Sequence, residues 1–335
     1  MSFHAFAALA AKQPLVSYQY EPPPLRPQDV EIEISHCGVC HSDLHLIDND
    51  WSSSVYPLVP GHEIVGTVVA AGSDCSLVPG QRVGVGWQRS ACLQCEFCRA
   101  GEENLCPQQE ATCVGHMGGF ADRIRLDGRF VFHLPASLES AAAAPLLCAG
   151  ATVFAPLRRW NVRAGMKVGV IGVGGLGSLA LRFLRALGCH STAFTSSPDK
   201  REAALALGAD EVASSTSVKE IRALANRFHF LLCTVPARLD WITYVLTLRP
   251  NGILCLVGAP PGVMQILAGP LLLGQRVICG SDIGSPQSKM PMKLAAQAPP
   301  NASWCQAPNG RVAGIAVTRQ ISAAIASVAS PCTSG

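Results

Sequence analysis

Charge is scarce in this 335-residue chain: Asp, Glu, Lys and Arg together make up 15% of it, against 49% apolar residues. That balance excludes a disordered polyelectrolyte and predicts a compact globular protein, long enough for two domains of ordinary size. Net charge is only +3, and it is spread evenly, which argues against nucleic acid as a partner. The N-terminus, Met1-Ser2-Phe3-His4, lacks the basic region that opens a signal peptide. A long uninterrupted apolar run is missing as well. The richest stretch, Ala141 to Phe154, is short and broken by Pro145 and Gly150, so no membrane span is expected. Acidic residues are absent altogether after Asp282.

Cysteine, by contrast, is abundant, with 15 in the chain. Without a secretory signal, so many thiols fit metal binding in a reducing cytoplasm better than a disulfide framework. They fall into two patterns. In the first, Cys40 of Cys37-Gly-Val-Cys40-His-Ser-Asp43 and His62 of Gly61-His62-Glu63 combine with Cys148, far downstream in Pro145-Leu-Leu-Cys148-Ala-Gly150. Two cysteines and a histidine are one of the known ligand sets of catalytic zinc, whose fourth position stays open. The alternative is that Cys40 and Cys148 are small core residues. In the second pattern Cys92, Cys95 and Cys98 are followed by Cys106. Four thiolates this close can close a tetrahedral site with no room for substrate, so its role is structural.

The first part of the chain reads as mostly β. Val30-Glu-Ile-Glu-Ile34 alternates with the period of a strand, Ile64 to Val69 and Arg82 to Val85 follow, and Pro79-Gly80 marks a turn between those two. From 167 to 285 strands and helices alternate. The strand Lys167 to Ile171 runs into Gly172-Val-Gly174-Gly175-Leu176-Gly177, and a helical run, Ser178 to Leu187, ends at Gly188. A glycine fingerprint between a strand and a helix binds a dinucleotide: glycine lets the backbone approach the pyrophosphate, and the helix N-terminus supplies free N–H groups. About 20 residues on, where an NAD enzyme places an acid against the ribose, this chain has Thr195-Ser196-Ser197, then Asp199, Lys200 and Arg201. Hydroxyls and cations suit a 2′-phosphate, so NADP(H) is expected, with Asp199 as a helix cap or an acid reaching back to the ribose. Buried strands are expected at Phe230 to Thr234 and Ile253 to Val257, with a turn at Pro250-Asn251-Gly252 and an edge strand at Arg276 to Gly280.

These motifs, CGVCHSDLH (37–45), PLVPGHEIVG (57–66), PLLCAGAT (145–152), GVGGLG (172–177) and TSSPDKREAALALGAD (195–210) with the four-cysteine cluster, resemble those of zinc-dependent medium-chain alcohol dehydrogenases. The nearest branch is that of cinnamyl-alcohol-dehydrogenase-like, NADP-dependent aldehyde reductases. The resemblance covers about residues 1 to 285. It implies a GroES-like β domain over 1–150 carrying a catalytic and a structural zinc, and a doubly wound Rossmann sheet over 151–285. It also implies that Cys40, His62 and Cys148 ligate the catalytic zinc, with Glu63 close by and Asp43 orienting His62. Ser42 would bond the substrate oxygen and pass its proton to His45, and Thr152 would lie near the nicotinamide. Implied too is a homodimer or homotetramer acting on small alcohols and aldehydes, aromatic or medium-chain, with Trp51 and Trp87 either lining the pocket or serving the core.

The family pattern fades at Ser285-Pro286-Gln287. With no acid after Asp282 and with Lys289, Lys293, Arg311 and Arg319 beyond, 286–335 reads as an atypical tail where the catalytic domain would normally be completed, through a frameshift or a divergent terminus. Two competing readings follow: a zinc- and nucleotide-binding protein impaired by that tail, and a zinc-free quinone reductase.

Overall fold

The computed structural model describes residues 2–285, so the reading of an atypical tail from 286 lies outside the described residues. The N-terminal strands are antiparallel. A hairpin of β1 (Phe3–Ala7) and β2 (Val16–Tyr20) leads to β3 (Asp29–Gly38), α1 (His41–Asp48), β4 (Glu63–Ala71) and β5 (Arg82–Val85). The short β6 (Gln88–Ser90) pairs with β7 (Glu110–Ala111), and between them lies the four-cysteine loop with the single-turn α2 (Glu96–Arg99). β8 (Arg123–Asp127) and β9 (Val131–His133) complete a five-stranded sheet in the order β8-β3-β4-β5-β9.

The alternation in β3 is only half of what it suggests. Val30 and Ile32 are fully buried as expected, but Glu31 between them is buried too, 6% exposed. The register explains it: Glu31 lies opposite Arg125 of β8, and its carboxylate also accepts from Arg123 Nη1 at 2.9 Å. Burial works to raise this carboxyl, yet the two guanidiniums outweigh it and hold it below its usual value.

The second half alternates strands and helices. After α3 (Ser140–Ala143) a tight turn, Ala144–Leu147, leads into α4 (Ala149–Arg159). Then come β10 (Lys167–Ile171), α5 (Gly175–Ala186), β11 (His190–Thr195), α6 (Lys200–Ala206), β12 (Glu211–Ser214), α7 (Val218–Arg222) and β13 (Phe228–Cys233). α8 (Trp241–Thr247), β14 (Leu248–Leu256), α9 (Ala268–Gly274) and β15 (Val277–Gly280) follow. The strand order is β12-β11-β10-β13-β14-β15, with every neighbouring pair parallel. The chain order therefore reverses between β10 and β13, where a doubly wound sheet opens a ligand crevice. One face carries Val168, Val170 and Phe230 against α4 and α5, and the other carries Ile171, Leu231 and Leu254 against α8. Strands buried on both faces explain the unbroken apolar runs in the sequence.

One sequence expectation needs correction. Pro250-Asn251-Gly252 does not separate two elements, because β14 begins at Leu248 and runs through it. The register passes from Phe228↔Leu248 to Phe230↔Ile253, so the extra residues loop out as a bulge in which Asn251 takes φ 61°. No single helix among the described residues is long and apolar enough to cross a membrane; α3 with its tight turn, and α4, pass only as a pair bent by 56°.

One hydrophobic cluster spans the two halves of the chain. Leu134, Leu146 and Leu147 cluster with Phe154, Leu157 and Phe183. Leu147 lies directly on β5: a Cβ added at Gly86 would sit 2.6 Å from its carbonyl oxygen. That close approach sets Cys148, the next residue, at the junction.

Removing the charge from the clamp is a direct test of this sheet. Glu31→Gln should cost about 1–2 kcal/mol in chemical denaturation, because Arg123 and Arg125 keep some access to solvent. Glu31 has a depressed folded pKa, so its contribution is complete above about pH 4.3 and lost as pH falls through the folded value. The difference between wild type and variant should accordingly shrink in acid.

Candidate active site and metal centres

The site is assembled from the turn that starts α1. Cys40 is the cap residue before that helix, and its backbone N–H donates to Asp43 Oδ2 at 2.9 Å. The other oxygen, Asp43 Oδ1, accepts from the Gly61 N–H at 2.9 Å and faces His62 Nδ1 at 2.9 Å. Asp43 is 1% exposed. One carboxylate thus ties the Cys40 backbone, the Gly61 turn and the His62 ring together, and it fixes the tautomer that leaves Nε2 free.

His62 Nε2 then faces Cys148 Sγ at 3.3 Å, and Cys148 Sγ lies 3.8 Å from Cys40 Sγ. These residues are 86 and 108 positions apart in the chain. A tetrahedral ion with sulfur at ~2.3 Å and nitrogen at ~2.0 Å spaces its sulfurs ~3.8 Å apart and sulfur from nitrogen ~3.5 Å. The donor set fits such an ion. Glu63 is the fourth member of the group, with an oxygen within 4.8 Å of the other donors. It is 3% exposed and its Oε2 has no hydrogen-bond partner among the described residues, the expected state of an acceptor beside a cation position. Gly38 makes room for it, since a Cβ there would lie 2.0 Å from Glu63 Oε2.

The electrostatics match that arrangement. The hydrogen bond from Cys148 holds the Cys40 thiol well below its ordinary range against the opposing effect of burial. Burial, then the Cys40 charge, pushes the Glu63 carboxyl well up. Burial also works against charge on His62, but Asp43 and Cys148 together outweigh it and raise the ring's pKa.

In the second cluster Cys92 Sγ lies 3.9 Å from Cys98 Sγ and 3.5 Å from Cys106 Sγ, and all four donors are mutually within 4.8 Å. The Gln94 and Cys95 backbone amides lower the Cys92 thiol to about 6, whereas burial lifts Cys98 to about 12. The geometry again fits a tetrahedral ion, here with every position taken by the chain.

Ser42 and His45 stand three positions apart on α1 and so share a face. His45 Nδ1 faces Asp50 Oδ2 at 2.7 Å, and the side chains of His45 and Asp50 are 34% and 48% exposed, so this pair is in contact with solvent. Trp87 sets its ring edge to face with His62 at 4.9 Å, and Trp51 lies 6.2 Å from Trp87 and 5.2 Å from the His45 ring. Trp87 thus touches the site while packing on the buried cluster of Leu46, Ile47 and Leu58, whereas Trp51 is 47% exposed.

At the crevice, a Cβ on Gly177 would come within 1.9 Å of the Gly172 carbonyl oxygen, whereas one on Gly174 would meet nothing within 4 Å. So Gly177 lets α5 approach β10, and the space before Gly174, at the start of α5, is open to a ligand. Gly175 and Leu176 begin that helix. Thr195 ends β11 with its hydroxyl accepting from the Ser197 N–H at 3.2 Å; Ser196 and Asp199 are exposed, and Lys200 opens α6. Asp199 caps that helix by position without a side-chain hydrogen bond. Thr152 lies one turn beyond Cys148, its N–H donating to the Cys148 carbonyl at 2.9 Å.

Three contributors escape sequence reasoning. Asp50 carries only a weak signal, an acid just past the end of a helix that bears a histidine. Cys113, fully buried with Sγ 4.0 Å from His62 Nδ1, is brought in by the β7 connection and has no motif. Thr234 donates to the carbonyls of Ile171 (3.0 Å) and Gly172 (3.2 Å), holding the glycine turn from the neighbouring strand.

With this geometry in place, comparison with known proteins is informative. Residues 26–136 match the alcohol dehydrogenase GroES-like domain, and residues 175–297 match the zinc-binding dehydrogenase family, a match that runs past the compositional break at 286. The chain is 46% identical over 283 residues to the aldehyde reductase AdhA of Synechocystis, covering 84% of each chain. It is 43% identical to the aldehyde reductase YahK of Escherichia coli over 300 residues, 85% of this chain and 84% of that one. Among solved structures, a cinnamyl alcohol dehydrogenase of Sorghum bicolor superposes with a TM-score of 0.85 at 35% identity, over 89% of this chain and 88% of the other. A Helicobacter pylori cinnamyl alcohol dehydrogenase complexed with NADP(H) gives 0.79 at 31%, over 87% and 86%.

If Asp43 orients a metal-ligating ring, Asp43→Ala should weaken the metal at His62 by about 10–100-fold in chelator competition. Release from the four-cysteine cluster should be unchanged, which a metal count at stepped chelator concentrations reads directly.

Proposed function

The chain belongs to the zinc-binding, GroES-like alcohol dehydrogenase family, and on that premise we propose that it is an aldehyde reductase and alcohol dehydrogenase using NADP(H). The observation that carries this is the convergence of Cys40, His62 and Cys148 on one point, in a chain that also carries the open glycine turn at Gly174. Cys40, His62 and Cys148 hold the catalytic zinc with Glu63 beside it, and Cys92, Cys95, Cys98 and Cys106 hold the structural one. Zinc so bound would supply Lewis acidity toward an alcohol or carbonyl oxygen, and a nicotinamide cofactor would supply the hydride chemistry.

The chain's own residues do the rest. Ser42 hydrogen-bonds the substrate oxygen and hands its proton to His45, whose ring Asp50 orients, so that the proton reaches solvent without water entering the site. The Trp51–Trp87 wall favours flat, apolar substrates such as benzaldehyde and cinnamaldehyde. The turn at Gly172, Gly174, Gly175, Leu176 and Gly177 cradles the pyrophosphate. Thr195, Ser196, Ser197 and Lys200 take the 2′-phosphate, and Thr152 borders the nicotinamide. In domain terms, 1–150 is the GroES-like part and 151–285 the Rossmann part. A reducing, cytoplasmic setting accords with thirteen described cysteines that are all free. Among the described residues nothing favours the impaired or the zinc-free reading.

A second copy of the chain fits on the outer edge. β15 ends the sheet, and Leu272 and Leu273 of α9 beside it are 76% and 92% exposed. Sedimentation should give a dimer or a multiple of it, and Leu273→Glu should shift the mass toward the monomer.

The activity assay is loss of NADPH absorbance with benzaldehyde or cinnamaldehyde. Ser42→Ala should lower kcat by about 10²–10⁴-fold with metal content unchanged, and Asp50→Asn should lower it less. Lys200→Ala should raise KM for NADPH while leaving that for NADH in place. Turnover that does not depend on Ser42, or a preference for NADH, would contradict these assignments.

A further inference from the structure

Far from the zinc donors, on the last two strands of the parallel sheet, lies a pair of thiols that the reductase chemistry does not use. Cys255 of β14 and Cys279 of β15 are direct partners in the strand register. Neighbouring strands run ~4.8 Å apart, and disulfides join Cα atoms ~4.4–6.8 Å apart. The two side chains share a face. Cys255 belongs to the cluster on the α4 side, and Cys279 packs against that same cluster beside Trp160, whereas Leu254, Leu256 and Ile278 turn to the opposite face. Cys255 is fully buried; Cys279 is half-buried. Among the described residues β15 pairs with β14 alone, so the small approach needed to bring the sulfurs into bonding distance displaces the last strand of this sheet.

We propose that Cys279 and Cys255 form an oxidant-sensitive dithiol, in which Cys279 meets a hydroperoxide and Cys255 resolves the product as an intrachain disulfide. In the first step the Cys279 thiolate attacks the peroxide: an S–O bond forms, the O–O bond breaks, sulfur is oxidised to the sulfenic acid, and the peroxide leaves as water or alcohol. In the second step the Cys255 sulfur attacks the sulfenic sulfur. The S–S bond forms as the S–O bond breaks, and the departing hydroxide carries off the Cys255 proton as water. A thiol such as glutathione or dithiothreitol reverses the pair by exchange.

The surroundings supply the asymmetry this scheme needs. The neighbouring Cys255 thiol, helped by Trp160 and the charge of Arg159, lowers the Cys279 thiol to about 7 against burial, whereas Cys279 and burial raise Cys255. Attack falls to the more accessible, more acidic sulfur, and the fully buried one waits as the resolving group. Because both side chains stand on the face of the sheet, strand pairing along the β15 edge by a second copy leaves them in place. The linkage would draw together the segments that follow, Val257–Gly258 and Ser281, at the end of the sheet where the crevice opens.

The test uses the metal-loaded protein treated with substoichiometric hydrogen peroxide and mapped by mass spectrometry of its peptides. The first new species should be the Cys255 peptide joined to the Cys279 peptide, lighter by two hydrogens and restored by dithiothreitol. Cys255→Ser should abolish the link and leave Cys279 as a sulfenic acid that dimedone traps, and Cys279→Ser should leave Cys255 reduced. Independently of any variant, Cys279 of the reduced wild type should alkylate with iodoacetamide at pH 7 at least roughly tenfold faster than buried Cys233. The proposal is overturned if both thiols stay reduced while other cysteines oxidise, if dimedone labels no residue 279 in Cys255→Ser, or if Cys279 alkylates no faster than Cys233.

Discussion

The hydrogen bonds of Asp43 are the constraint on which the site depends. Its two oxygens engage the Cys40 amide, the Gly61 amide and the His62 ring. Without them the start of α1 and the start of β4 would have no reason to hold a thiol and an imidazole at one point. Burial strengthens such bonds and makes each loss expensive, because an orphaned carboxylate in an apolar setting costs far more than an exposed one. The same carboxylate caps α1, so folding of the helix and orientation of the ligand ring are a single event.

The third donor comes from the other end of the architecture. Cys148 sits where the tight turn Ala144–Leu147 meets α4, with φ −119° and ψ −80°, a backbone that belongs to neither element. Leu147 fastens that junction to β5 through the missing side chains of Gly84 and Gly86. The metal position therefore lies at the seam of two sheets, and binding there would join them. A chain of aromatic rings runs from this seam. His45 touches Trp51, Trp51 touches Trp87, and Trp87 touches His62.

Much of this was legible in the sequence where the signal is local. The glycine turn lies between a strand and a helix because close approach of α5 to β10 allows no side chain at Gly177. The four-cysteine loop needs only its spacing. Cys40 and His62 stand in short motifs, whereas Cys148 is 108 residues from Cys40 and entered as one member of a chemically plausible set. What stayed hidden depends on pairing across space. The Glu31 position looks like a solvent-facing half of an alternating strand until Arg123 and Arg125 are placed opposite it. Asp50 gains meaning only when the turn after α1 brings it to His45, and Cys113 only when β7 delivers it to His62. The turn expected at Pro250-Asn251-Gly252 was a correct reading of local chemistry in the wrong context, because sheet pairing on both sides carries β14 through it.

The most direct measurement of the central claim is X-ray absorption at the zinc edge on the purified, metal-loaded protein. The account predicts two zinc ions per chain with two environments. One has four sulfurs at ~2.3 Å, and the other two sulfurs at ~2.3 Å with nitrogen or oxygen at ~2.0 Å. A spectrum fitted by sulfur ligands alone, at one ion per chain, would contradict it.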